Sequence, residues 1–429
     1  MKRRNPNSTT QRTALRRALL SACMGGALLS GGSTQLLHAQ DSATDKLAKE
    51  NADLKTRLEA LEMAAKKEGI LPSDGSSPKL VKAMSAITIS GFVQASYFAN
   101  MEPPDDGMND AYLWNTRDNS FSLNKFKLTI ASKPVASDKW DAGFRASMIL
   151  GDDAPLLNTS GHHGNLSTEN SSFNSLREAY VELNVPIGTG LNIKAGELIS
   201  LLNYESGDGG AANQNFSQGN QWWFTGNGPS AGVQGTYNFT DKAGLTARVD
   251  NGLFQGPVDN NEGKAYSASL NLKPTSKFWV NVYGFAEDAT GGTETLGFGT
   301  IGGFQVSEKL GTGFEFDYFN FDTAGISSDL WSVGGWAWYD FTPKVGLAFR
   351  ADYIGSPDGV LGPAVRPGAG ITTTDLDGNL ASFTLTLNWK PVPNIKVQPE
   401  IRYDTTSYAG GLDGEESRFM IGAGISYLF

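Results

Sequence analysis

The sequence predicts an all-β chain: a closed, transmembrane antiparallel β-barrel of about sixteen strands, preceded by a short coiled-coil helix. Three observations lead there. The chain ends on a strand of alternating character, it begins with a secretory leader, and from residue 87 it divides into alternating segments joined by turns of two contrasting kinds. In the last strand Phe419, Ile421, Ala423, Ile425, Tyr427 and Phe429 occupy every second position, with Met420, Gly422, Gly424, Ser426 and Leu428 between them. A period of two puts the first set on one face. In water such an edge strand invites aggregation, whereas in a closed membrane barrel one face meets lipid and the other the lumen.

Residues 1–39 read as the leader. Lys2, Arg3, Arg4, Arg12, Arg16 and Arg17 come without an acid, and a weakly apolar run from Ala18 to about Leu37 leads to small residues at Ala39, so cleavage is expected near Ala39-Gln40. Leu20-Ser21-Ala22-Cys23 has the look of a lipidation box, but the five residues after Arg17 are short for an apolar core, and Arg16-Arg17 lacks the rest of a twin-arginine motif. The only cysteine, Cys23, leaves with the leader, so disulfide and thiol chemistry are excluded.

Removing six bases takes the formal −10 of the whole chain to −16. Residues 40–86 balance their acids and bases, so the excess lies on 87–429 and argues against a nucleic-acid partner. No apolar run of about eighteen residues follows the leader, which excludes a helical span. The mean hydropathy of −0.29 is no obstacle to a barrel, because lumen-facing residues dilute each strand.

Residues 40–68 carry a heptad seam: Leu47, Leu54 and Leu61 at one core position, Asn51, Leu58 and Ala65 at the other. Three heptads are marginal alone but become favourable when a barrel that already oligomerises holds the copies together. A single amphipathic helix resting on a neighbour or on peptidoglycan fits the same pattern. Residues 69–86, with Pro72, Gly75, Ser76 and Ser77, form a linker.

The barrel is expected over 87–429, with strands near 87–100, 119–133, 139–150, 173–185, 191–200, 229–239, 242–251, 264–273, 277–288, 294–306, 309–321, 329–341, 344–354, 381–390, 394–404 and 416–429. Tight turns such as Thr240-Asp241 and Thr342-Pro343 are expected to alternate strictly with long polar loops, as at 101–118, 151–172, 201–228 and 355–380. That is the layout of an outer-membrane barrel, with both termini on the short-turn, periplasmic side.

Strand faces nominate the pore lining. Lys or Arg facing lipid at mid-bilayer costs ~2–4 kcal/mol, so charged faces must turn inward. This assigns Lys125, Lys127, Arg145, Glu178, Glu182, Arg248, Glu315, Asp317, Arg350, Asp352, Lys396, Glu400, Arg402 and Asp404 to a watered lumen. Tyr97, Tyr237, Phe239, Trp389, Tyr403 and Tyr427 at strand ends suit interfacial girdles. The strand 329–341, with Trp331, Trp336 and Trp338, does not separate into two faces.

The stretches ISGFVQASYFA (89–99), SLREAYVEL (175–183) and the ISYLF end resemble the bacterial general porin superfamily, closest to the OmpL-like β-barrel porins and more loosely to phosphate-selective porins with an N-terminal coil. The resemblance implies a homotrimer and an inward-folded loop after the fifth strand, here 201–228. Its charges are Glu205 and Asp208 and its bulky cluster Trp222, Trp223 and Phe224, which either narrow the pore or anchor the loop to the wall. The basic run that a phosphate-selective pore would want there is missing.

Other constellations are weaker. Asp375-Leu376-Asp377-Gly378-Asn379 has part of a calcium loop but no bidentate Glu, and His162-His163 reads as a loop pair rather than a metal site or a catalytic base. The sequence therefore predicts passive diffusion of small hydrophilic solutes and ions across the outer membrane, with no catalytic residue, metal or cofactor. The alternatives are a porin selective for an anion or an oligosaccharide, a barrel-type anchor or adhesin, and an outer-membrane hydrolase.

Overall fold

The computed structural model describes residues 53, 56–64, 87–109, 116–134, 138–154, 175–253, 262–289, 292–359, 377–409 and 411–429. The leader, the linker, His162-His163, Asp375-Leu376 and the ends of the heptad segment lie outside them. The chain divides into two units, Met1–Lys82 and Ala83–Phe429. In the first, 56–64 is helical, and no described helix is long and apolar enough to cross a membrane.

The second unit is one closed antiparallel barrel, and all sixteen expected strands form. They are β1 (Thr88–Asn100), β2 (Ser120–Ser132), β3 (Asp141–Leu150), β4 (Leu176–Val185), β5 (Leu191–Leu198), β6 (Ser230–Asn238), β7 (Ala243–Asp250) and β8 (Ala265–Leu272). β9 (Phe278–Ala289), β10 (Thr293–Gln305), β11 (Leu310–Thr323), β12 (Ile326–Thr342), β13 (Val345–Ser356), β14 (Gly378–Trp389), β15 (Ile395–Thr406) and β16 (Ser417–Leu428) complete it. Each strand pairs with its sequence neighbour, and β1 pairs with β16 to close the ring. At that seam the Phe429 N–H donates to Gly91 O (3.0 Å) and the Gly91 N–H donates to Phe429 O (2.9 Å), so the last residue is part of the ladder. Closure leaves no unpaired edge, which hydrocarbon would not tolerate.

The faces separate cleanly. Val249, Val282, Phe298, Val333, Phe349, Leu385, Ile401, Ile421 and Ile425 are exposed on the outside, as a lipid-covered surface requires. Tyr97, Tyr237, Phe239, Trp389, Tyr403 and Tyr427 share that face. β12 also resolves: Trp331 points outward, whereas Trp336 and Trp338 share a face with Arg350 and Ala348 and point inward.

Strict alternation of turn lengths does not hold. Two connections on the long-loop side are tight: β9 and β10 meet across 290–292, and β11 and β12 across Ala324-Gly325. The second is a two-residue hairpin with both residues at positive φ (54° and 84°), the geometry that matches strand twist. The strand pattern stops at residue 321 in sequence, but pairing continues outward through Asp322, Thr323, Ile326 and Ser327.

Candidate functional site

The connection from β5 to β6, residues 199–229, turns into the barrel and docks on its inner wall. It holds a 3₁₀ turn, Gly209–Ala211, and a short helix, Asn220–Phe224. Such a segment carries many backbone polar groups, and once buried each needs a partner. Inward residues of β9, β11, β13, β14 and β15 supply them, while β1, β2, β12 and β16 contact loop side chains.

Glu205 lies at the centre. Its carboxylate accepts from Arg350 Nη1 (3.1 Å), from Trp336 Nε1 (3.2 Å) and from the Gly219 N–H (2.7 Å). Arg350 also donates to Ser217 O and to Thr384 Oγ1 (2.8 Å) and approaches Asp352 at 3.5 Å. Arg402 donates to Gln218 O and Asn220 Oδ1, both at 2.7 Å, and pairs with Asp404, which also pairs with Arg418. Glu400 accepts the Phe216 and Ser217 N–H groups (2.7 and 3.2 Å), Lys396 donates to Gly210 O (2.9 Å), and Lys127 holds Asp208 at 2.8 Å. On β11 the Tyr204 N–H donates to Glu315 (3.1 Å), and Gln221 Nε2 donates to Asp317 (3.1 Å).

Aromatic contacts complete the docking. The Phe216 ring stacks on Phe98 at 5.5 Å in a pocket left open by Gly424, where a Cβ would come 1.9 Å from that ring. Tyr204 lies against Trp336 (4.4 Å) and parallel to Trp279 (6.1 Å). Burial, with Glu205 and Glu315 nearby, pushes the Tyr204 hydroxyl up to about 12, so it stays neutral. Trp222 packs on Ile149 and Ala154 with Trp223 beside it, and Phe224 joins the interior apolar cluster around Leu202, Phe285 and Phe319. These three aromatics therefore lie against the wall.

The docked loop changes the status of the inward charges. Arg350 is 0% and Arg402 1% exposed, and Asp352, Lys396, Glu400, Asp404, Glu315 and Asp317 are likewise buried. They face inward as expected but lie behind the loop, so they do not line open water. Period-two alternation reports which face a residue occupies, not what covers that face. Lys125 is buried against Asp153 (3.0 Å), and Arg248 donates to Gln234 and to Ile199 O (2.8 Å).

The opposite wall differs. Arg145, whose side chain is 30% exposed, pairs with buried Glu178 at 2.6 Å. Glu182 is part-exposed and accepts from Asn192 Nδ2 (2.9 Å). Lys194 sits over the Tyr180 ring at 4.9 Å. Around them Asn184, Gln234, Thr236, Asn271 and Asn281 are half-buried on the same inner face, and Asn238 at its end is exposed. Lys194, Tyr180 and these neutral residues were not among the predicted lining, although Lys194 follows from applying to β5 the rule used elsewhere. Among the described residues no three His, Cys, Asp or Glu side chains are arranged to hold a metal ion.

A family model described as beta-barrel porin-2, OmpL-like, matches residues 86–429. Comparison with curated protein sequences gives no match. Among solved structures, the in-vitro folded, trimeric form of OmpT from Vibrio cholerae is 11% identical with a TM-score of 0.54, covering 80% of this chain and 99% of that one. The outer-membrane channel DcaP of Acinetobacter baumannii is 14% identical with a TM-score of 0.53, covering 80% and 97%. An anion-selective porin from Comamonas acidovorans is 11% identical with a TM-score of 0.53, covering 80% and 99%. At these identities the likeness is one of fold. The family match spans the whole barrel, its closed seam and its inward loop: the chain belongs to the OmpL-like β-barrel porin family and is a porin of the bacterial outer membrane.

Proposed function

We propose that small hydrophilic solutes and ions diffuse through a water path bounded on one side by the inner faces of β3–β9 and on the other by the loop 199–229. The observation that carries this reading is the division of the inner wall: Glu315, Asp317, Arg350, Asp352, Lys396, Glu400, Arg402 and Asp404 are buried behind the loop, while Arg145, Glu182 and Lys194 remain part-exposed. A fixed charge that ions pass close to acts on selectivity more strongly than one sealed behind packed protein. With Arg145 paired to Glu178 and Lys194 beside Glu182, selectivity is mild and no anion-specific site is implied.

The test is single-channel recording of the refolded mature protein in a planar bilayer under a salt gradient. Discrete steps with a small reversal potential are expected. Lys194→Glu shifts that potential toward cations, whereas Arg402→Glu changes the noise and amplitude of the channel by loosening the loop. No conductance from protein shown to be folded and inserted would sink the reading and favour an anchor.

The same proposal includes a homotrimer, supported by the trimeric form of OmpT. Export uses residues 1–39 as signal peptide, and the heptad segment forms a periplasmic coil among the three copies or rests on peptidoglycan. Leu58, a seam residue on helix 56–64, is 58% exposed in the single chain, as an unfilled coil position would be. Light scattering of the detergent-solubilised protein with and without residues 40–68 tests both: a monomer removes the trimer, and unchanged trimer stability removes the coil.

A further inference from the structure

We propose that the short-turn mouth of the barrel holds a subsite for a neutral polyhydroxylated solute, one sugar ring in size; the proposal rests on the channel reading above. A cavity of about 440 Å³ opens there, lined by the half-buried Trp279, Asn271 and Asn281 and the exposed Asn238, with Gly244 and Thr189 at its edge. Its volume is that of a small-ligand site.

The chemistry of the lining selects the ligand. A carboxamide both donates and accepts, so it suits hydroxyl groups, which do the same, and it discriminates little by charge. Asn271 is held in place, donating to Thr246 Oγ1 (2.9 Å) and accepting from Ser269 (3.0 Å). The carboxamides of Asn238 and Asn281 have no hydrogen-bond partner among the described residues and are available to a solute. Trp279 supplies a broad apolar face with a polar edge, the surface on which the C–H side of a pyranose packs while its hydroxyls reach the amides. The indole is positioned by Tyr204 of the loop, parallel to it at 6.1 Å. Two glycines leave these groups their room: a Cβ at Gly244 would stand 2.4 Å from Asn238 Oδ1, and one at Gly303 would stand 2.7 Å from Trp279 Nε1. Asp241, Lys242 and Lys273 are exposed at the rim, on the turns, while the inward surface is uncharged. A site for an anion would place its cations inside, with the amides.

The experiment is current block of the refolded mature protein in a planar bilayer, with D-glucose and maltose as probes and glucose 6-phosphate for comparison. Both neutral sugars are expected to reduce the current in a saturable way. Trp279→Ala is expected to raise the half-blocking concentration about fivefold or more, in the range that losing an aromatic contact gives. Because Trp279 also touches the loop, Asn238→Ala/Asn281→Ala is the second variant: it removes no internal hydrogen bond and should weaken block, read relative to the variant's own sugar-free current. Open channels with no saturable block by either neutral sugar, or block unchanged in both variants, would overturn the subsite and leave the porin reading intact. Block by glucose 6-phosphate alone would overturn it in favour of anion recognition by Lys242 and Lys273. Absence of channels in salt alone would instead overturn the channel reading.

Discussion

Replacing Arg350 with Met removes the hub of loop docking without removing its volume. The guanidinium reaches Glu205, Ser217 and Thr384 and lies 3.5 Å from Asp352, with no exposure of its own. Deleting one partner of a buried ion pair leaves the other charge unpaired and costs ~3–5 kcal/mol. The strand ladders do not depend on this side chain, so the cost falls on the docked state of the loop. At about 1.4 kcal/mol per tenfold, the undocked population rises by a factor of about a hundred to a few thousand. Lys127–Asp208, Glu400 with the Phe216 and Ser217 amides, and the Arg402 bonds still oppose release, so the segment 205–219 loosens before the whole loop leaves. Hydrogen exchange by mass spectrometry on the folded porin should show faster exchange across that segment, with the strands unchanged, and single-channel records should show added noise. Wild-type exchange and a quiet channel in Arg350→Met would refute the claim that buried polar contacts hold the loop.

Other predictions follow from the seam, the loop pocket and the lipid face. Deleting Phe429 removes two ladder hydrogen bonds to Gly91, each worth ~0.5–1.5 kcal/mol, and should lower the fraction that refolds to the heat-modifiable form on gels; undiminished refolding would count against a stabilising seam contact. Gly424→Leu puts side-chain atoms where the Phe216 ring stands, an overpacking cost of ~1–3 kcal/mol, and should raise channel noise while the barrel stays folded; a quiet channel would contradict the packing of Phe216. Leu385→Arg, on the outer face of β14, should cost up to ~2–4 kcal/mol in urea unfolding from vesicles, and no measurable cost would contradict its lipid-facing position.

Much of the barrel was legible because a membrane makes one rule hold along every strand. Ile401, Tyr403 and Ile421 had to face lipid, so Arg402 and Glu400 had to face inward, and register followed. The rule failed to separate the faces of β12 because Trp336 is inward yet apolar: its ring packs on Tyr204 and its N–H serves Glu205, neither of which alternation reports. It also could not tell that Arg350 and Arg402 are dry. Their burial depends on a segment more than a hundred residues away in sequence, whose Gly- and Asn-rich composition reads as an exposed loop until its backbone groups are matched to partners.

A count of inward charges is consequently a poor guide to ion selectivity in this barrel. A buried ion pair adds little net stability over a well-packed apolar contact, so stability alone does not explain why β11–β16 carry so many. What such pairs supply is direction: Arg350, Arg402 and Glu400 each bond to particular backbone atoms of the loop, and an apolar wall of equal area would accept it in many registers. The charged half of the wall thus fixes where the loop lies, and that position decides which half stays wet. The part-exposed half carries Asn, Gln and Thr beside Arg145, Glu182 and Lys194, and on the proposed path solutes meet that surface. Selectivity should therefore respond to Lys194, Trp279 and the asparagines around them, while changes at the arginines of β13 and β15 act through the loop.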